Sequence, residues 1–254
     1  MMTDILTTTE TIAAHERIAL QVSTGRDSLA CLYLLRDAGL LDRITVYWVN
    51  TGNAFPETLE IAAKVRELVP HFVEIEGRQP EVIAAFGIPT DILSRNCTPI
   101  GVMCGQSAVR MQDTYSCCGR VIMQPLHERM LADGVTLIIR GQRADDSHKA
   151  PVVSGEWENG IQYLFPIENW SDEDVDAYLA KVGAPRHACY DYGMSSTPDC
   201  MTCSGWWSDG RALFLKERHP EAYDEYMRRL ELIRRSNENL IQLFNIEYGG
   251  SYGD

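Results

Sequence analysis

The chain has no apolar run approaching the ~20 residues that a membrane-spanning helix needs. Its first ten residues, Met1 to Glu10, are polar and lack the apolar centre of a secretion leader. A soluble, cytoplasmic protein with no membrane partner is expected. Positive charge is scarce: 23 Lys and Arg stand against 36 Asp and Glu, a formal net charge of −13. Such a chain does not attract nucleic acid as a free-standing binder, because its own field repels a phosphate backbone. Arg228-Arg229 with Arg234-Arg235 is the local exception, and a solvated helix face is the plainer reading of it. Neither a Walker loop nor a G-x-G-x-x-G is present. His127, His148, His187 and His219 are scattered and give no ligand cluster. There is no internal repeat and no low-complexity tract, and no cysteine follows Cys203.

What is there suffices for one sizeable α/β domain with an appended part: 254 residues, 45% of them hydrophobic. Eight cysteines in a reducing compartment argue for metal or redox work over a disulfide framework. Residues 4–15 read as a modest helix. Arg17 to Val22 is a short apolar run ending at a Ser-Thr-Gly turn, hence a buried strand, and Ser28 to Ala38 continues with helical spacing. Ile44 to Val49, His71 to Ile75 and Leu137 to Arg140 read as further strands. Helices are expected from Pro56 to about Leu68, through Cys118 to Ala132, and over 170–182 with Ser171 as N-cap. Arg211 to Phe244 reads as a charged amphipathic helical region long enough to suit a homodimer, and Tyr248 to Asp254 as a frayed tail. Alternating strands and helices imply a doubly wound, mostly parallel α/β sheet over 1–165, with a helical region over 166–254 packed on it as one unit. Ligands of such sheets bind at the carboxyl ends of the strands. The loops at 23–28, 50–57 and 141–147 are therefore expected to converge on one crevice.

The loop Ser23-Thr24-Gly25-Arg26-Asp27-Ser28 leads a strand into a helix, which points several backbone N–H groups at one place and binds anions. Ser23, Thr24 and Ser28 add hydroxyls, and Arg26 adds a fixed positive charge. Asp27 suits a Mg²⁺ or the helix N-terminus. An ordinary strand-to-helix turn is the alternative. Threonine needs negative φ, so this turn is expected to be less strained at Thr24 than a Gly-Gly version.

This loop resembles the S-G-G-x-D-S PP-loop of the adenine nucleotide α-hydrolase-like superfamily, with Thr24 in place of the first glycine. Asn50-Thr51-Gly52-Asn53-Ala54-Phe55-Pro56-Glu57-Thr58 resembles the D-T-G-x-x-F-P-E-T segment of the phosphoadenosine phosphosulfate (PAPS) reductase family. Gly141-Gln142-Arg143-Ala144-Asp145-Asp146-Ser147 resembles that family's G-x-R-x-x-x-S loop, and Pro166 to Trp170 its P-x-x-x-W segment. The matches run in the family's order from about residue 17 to 207. The resemblance implies an adenine-nucleotide site built from Ser23 to Ser28, Thr51, Gly52, Gly141 and Arg143. Asp27 and Arg143 are its catalytic candidates, with Arg143 facing charge on the α-phosphate. His148-Lys149 follows this loop, and a solvated loop is its plainer reading.

Four thiolates hold either Zn²⁺ or a [4Fe–4S] cluster, and Cys200-Met-Thr-Cys203 alone does not choose. Adjacent cysteines, as at Cys117-Cys118, are awkward for one small ion, whereas a cubane offers each a separate iron. The order CC…CxxC resembles the cluster-binding, adenylylsulfate (APS) reductase branch of the family. The resemblance implies that Cys117, Cys118, Cys200 and Cys203 ligate one [4Fe–4S] cluster. The lysine that this branch carries between the pair and Pro125-Leu126 is absent, with Arg120 the nearest cation. Cys31 reads as core, and Cys97, Cys104 and Cys189 as inert unless one is a relocated nucleophile. Trp206-Trp207 is expected either to shield the cluster or to be core.

Reductases of the family carry a nucleophilic cysteine in a C-terminal Glu-Cys-Gly-Leu-like segment, and 211–254 has none. The resemblance then favours the sulfur-insertion members, such as the DNA phosphorothioation proteins and, more distantly, tRNA thiolases. These imply ATP with Mg²⁺ at the loop, sulfur bound or passed by the cluster, and a cysteine desulfurase or other sulfur donor. DNA would be reached through a partner subunit. APS/PAPS reduction, and a non-catalytic nucleotide or redox sensor, are the alternatives.

Overall fold

A computed structural model describes residues 2–146, 149 and 151–249. Ser147 of the third loop, His148, and Gly250 to Asp254 of the expected tail lie outside the described residues. In chain order the elements are α1 (Met2–Ala13), β1 (Ile18–Gln21), α2 (Arg26–Asp37), β2 (Thr45–Asn50), α3 (Pro56–Leu68), β3 (Phe72–Glu76), α4 (Gln79–Phe86), β4 (Ile88–Thr90), α5 (Pro99–Met103) and β5 (Met111–Asp113). There follow α6 (Thr114–Cys118), α7 (Gln124–Ala132), β6 (Leu137–Ile139), β7 (Trp157–Glu158), β8 (Ile161–Leu164), α8 (Asp172–Val182), α9 (Arg211–Arg218) and α10 (Pro220–Gly249).

The main sheet runs β3-β2-β1-β6-β8-β7, parallel except for the β7 edge. Side chains alternate between its faces, as a strand's period of two requires. Ile18, Leu20, Val46, Leu137 and Ile139 pack with apolar residues of α1, α2 and α3. Ala19, Tyr47 and Ile138 face Met130 and Leu126 of α7 on the other side. The sheet is thus covered on both faces, a doubly wound α/β fold. Strand order grows leftward from β1 to β3 and resumes rightward at β6, so the sheet reverses between β1 and β6. Loops leaving those two strands diverge and open a crevice there.

A second, two-stranded parallel sheet pairs β4 with β5. Three residues per strand, one of them Pro89, leave no period to read in the sequence. Its outcome is local: Asp113 at the end of β5 caps α6, accepting the Ser116 N–H at 2.8 Å, and α6 carries Cys117 and Cys118. A π-type turn, Gly119–Met123, joins α6 to α7, a distortion that recurs near functional sites. The Ser171/Asp174 capping box forms at the start of α8. The expected C-terminal helical region comprises two helices, parted at His219, before Pro220. Its second part, α10, extends through Tyr248 and Gly249, so the first two residues expected in a frayed tail are helical.

Candidate active site

The crevice at the sheet's reversal encloses about 800 Å³. Gln21, Tyr47, Val49, Ile138 and Tyr163 floor it, and Ile122, Met123, Leu126, His127 and Met130 wall it. The phosphate loop contributes Ser23, Asp27 and Ser28, and the loop after β6 contributes Gly141, Gln142 and Asp146. These two loops touch through their backbones. A β-carbon on Gly141 would lie 2.5 Å from the Asp27 carbonyl oxygen, so only glycine permits the approach.

Within the loop the Ser23 N–H donates to Ser28 Oγ at 3.2 Å, and Ser28 Oγ donates to the Gly25 carbonyl at 2.9 Å. Asp27 falls in the first turn of α2, whose N-cap, Gly25, makes no side-chain cap. Thr24 departs from expectation. Its φ is +66°, the left-handed region, and its hydroxyl is buried with no partner. The turn takes left-handed geometry at this position, and the threonine bears the strain.

Arg26 and Arg143 are not among the residues that line the crevice. Arg143 is 7% exposed, with Nε 3.0 Å from Asp27 Oδ1 and an Nη 2.7 Å from Asp172 Oδ1. Neither Nε nor Oδ1 of the first contact has an aligned hydrogen bond, so it is a charge contact only. Arg26 likewise reaches Asp172 and Asp176 on α8. Both arginines tie α8 to the loop, because α8 presents its acidic first turn to them. Burial pushes the Asp27 carboxyl upward, with Arg143 and Arg26 pulling against it.

Thr51 and Gly52 also lie outside the crevice lining. The Thr51 hydroxyl donates to the Asp199 carbonyl at 3.1 Å, and the Gly52 N–H is held by the Asn50 side chain. Their loop grips the CxxC turn through Asn53, whose carbonyl accepts Met201 N–H at 2.6 Å and whose Oδ1 accepts Thr202 N–H at 2.8 Å. Phe55 of the same loop is buried against Phe214 of α9.

All four expected ligand cysteines line one pocket, with Gln79, Pro89, Val121, Ile122, Pro198, Asp199 and Trp206. Ile122 and Asp199 also line the crevice, so the two cavities share a wall. Among the described residues no three His, Cys, Asp or Glu side chains are spaced to hold a single metal ion. A four-iron cluster, with one iron for each thiolate, fits the donor set better than a lone zinc. Burial pushes the Cys117 thiol up to about 12 and that of Cys118 to about 11, so ionising them calls for nearby positive charge. Trp206 sits edge-on to Tyr115 at 5.8 Å, while Trp207 stays exposed.

The remaining cysteines are elsewhere. Cys31 is core. Cys97 is buried beside Ser107, Cys104 is exposed, and Cys189 is buried with its thiol pushed up to about 11. None of them lines the crevice. Arg228, Arg229, Arg234 and Arg235 pair with glutamates of their own helix, so the candidate basic patch is internally neutralised.

One functional candidate escaped the sequence reading. Arg140, directly after β6, lines the crevice half-buried. Its guanidinium makes no hydrogen bond or ion pair among the described residues, and burial lowers its pKa. Lys149 shares the lining and donates to the Ala144 carbonyl at 2.5 Å. A cation at a strand's carboxyl end was available in the sequence, but Arg140 read there only as the close of a strand.

A doubly wound α/β nucleotide-type crevice walled by a four-cysteine pocket is the class that fold and site define. The chain belongs to the phosphoadenosine phosphosulfate reductase family, whose domain matches residues 17–205. It is 25% identical over 212 residues to an adenosine 5'-phosphosulfate reductase of Burkholderia cepacia, covering 78% of each chain. It is 25% identical over 217 residues to a phosphoadenosine 5'-phosphosulfate reductase of Aliivibrio salmonicida, covering 81% of this chain and 79% of that one. The structure of a phosphoadenylyl-sulfate reductase from Candida auris, a phosphate complex, superposes with a TM-score of 0.54 at 19% identity. That match covers 74% of this chain and 83% of the other, and it bears on the fold. Among the described residues no helix is long and apolar enough to cross a membrane.

Proposed function

We propose that this family member uses ATP to transfer sulfur to a nucleic acid, DNA foremost, which it would reach through a partner subunit. The observation that carries the reading is the wall shared by the crevice and the four-cysteine pocket, at Ile122 and Asp199. A sulfur centre beside a nucleotide site lets sulfur act on an activated group in the crevice. The loop amides with Ser23 and Ser28 would hold the phosphates, Asp27 and Asp146 a Mg²⁺, and Arg140 a developing negative charge. An acceptor oxygen attacks the α-phosphorus of ATP and pyrophosphate leaves. A sulfur nucleophile from a cysteine desulfurase or other donor then displaces AMP. A [4Fe–4S] cluster on Cys117, Cys118, Cys200 and Cys203 would supply sulfur-binding chemistry at the crevice wall.

The test is anaerobic incubation with ATP, Mg²⁺, a sulfur donor and DNA or tRNA. AMP, pyrophosphate and thiolated acceptor are expected, and their absence with every acceptor overturns the reading. Reduction of APS or PAPS is the second reading, favoured by the names of the relatives above. It needs a cysteine nucleophile, and outside the quartet none lines the crevice. Sulfite released from APS or PAPS with thioredoxin would establish it.

A further inference from the structure

Arg211 opens α9 and is 1% exposed. A guanidinium withdrawn from water is costly unless an opposite charge compensates it. Among the described residues no carboxylate lies within ion-pair distance of Arg211. Its Nη2 donates to the Cys200 and Met201 carbonyls at 3.1 and 3.3 Å, and its Nε has no acceptor. The Tyr226 ring faces the guanidinium at 5.3 Å. Two carbonyls and a ring face soften the charge without neutralising it. Arg229 is the internal contrast. It donates to the Thr202 carbonyl of the same turn at 2.8 Å, but it carries Glu225 at 2.6 Å. One arginine on the cysteine turn has its carboxylate, and the other has none.

The missing negative charge is what metal-bound thiolates bring. Four of them around a dicationic four-iron core leave a net charge of two minus. Resting on the cluster reading above, we propose that Arg211 is the counter-charge of the cysteine-held cluster. It is a positioning residue whose buried cation is compensated only when the four thiolates are ionised and occupied. Groups that hold the backbone of a ligand-bearing turn tune the affinity and charge of a metal centre without ligating it.

The test compares wild type, Arg211→Met and Arg211→Lys, each anaerobically reconstituted with iron and sulfide, and each again after iron removal by chelation. Iron and sulfide content, cluster absorbance and urea midpoints are the readouts. The methionine variant is expected to lose its iron to a chelator at least ten-fold faster, and its loaded form to unfold at lower urea than loaded wild type. Its iron-free form is expected to be as stable as iron-free wild type or more so, because it no longer buries an unpaired charge. The lysine variant is expected to recover part of the retention. A methionine variant destabilised equally with and without iron, or unable to fold, overturns the proposal by making Arg211 a plain structural clasp. Wild type that takes up neither iron nor sulfide overturns the cluster reading instead.

Discussion

Replacing Thr24 with glycine is expected to stabilise the protein by about 1 kcal/mol. The threonine stands at φ +66° with its hydroxyl buried and unpaired. Releasing a side chain from left-handed backbone is worth about 1–2 kcal/mol, and removing an unsatisfied buried hydroxyl about 1 kcal/mol more. Against this stand the lost burial of a methyl, roughly 0.8 kcal/mol, and the greater freedom of glycine in the unfolded chain, about 0.5–1 kcal/mol. With a urea slope of about 2–3 kcal/mol/M, the midpoint should rise by about 0.4 M at unchanged slope. ATP affinity, read by calorimetry, should stay within about three-fold, because the anion-binding groups are backbone N–H donors. A midpoint that falls at unchanged slope would refute the reasoning, since it would mean that the hydroxyl or methyl contributes more than the backbone strain costs.

Gly141→Ala should part the two loops, since the new carbon meets backbone 2.5 Å away. Overpacking of about 1–3 kcal/mol should appear in urea titration, with ATP binding weakened about ten-fold or more. Arg140→Gln should weaken ATP binding about 10–100-fold while leaving adenosine binding unchanged, as the loss of one charge-assisted bond predicts; equal losses for both ligands would exclude the residue as an anion contact. His187 is 1% exposed and burial lowers its pKa to about 4. Below the unfolded value of about 6.5 the unfolded chain takes up a proton that the folded chain refuses. Its contribution is therefore complete above about pH 6.5, declines as pH falls towards 4, and levels off below that, a loss of about 3 kcal/mol. Urea midpoints of wild type and His187→Gln between pH 7 and 4 should converge as the pH falls, and parallel curves would remove His187 as the cause.

Short apolar runs ending in turn residues made β1, β2, β3 and β6 legible, and with them the doubly wound sheet and its crevice. The β4–β5 pair was not legible, because Ile88-Pro89-Thr90 and Met111-Gln112-Asp113 mix apolar with polar or proline residues and form no apolar run. Thr24 was misread for a different reason: an intrinsic φ preference was set against a loop whose contacts fix the backbone. The aims of Arg26 and Arg143 could not be read locally, since Asp172, which takes both, is distant in sequence. Nor could the redirection of Thr51 and Gly52, which depends on a turn at 199–202 folding onto their loop. The gathering of Cys117, Cys118, Cys200 and Cys203 around one pocket was reached through family resemblance. The residues that accomplish it, Asp113 and Asn53, act across the chain.

Asn53 gives that turn a borrowed rigidity. Three bonds from one side chain and its carbonyl hold Met201 and Thr202, so the turn cannot take shape before the loop that follows β2 exists. It belongs to the sheet's cooperative unit, not to the surface loops around it. Its amides should therefore exchange with solvent at the slow rate of the strands, a permanence that its irregular backbone alone would never suggest.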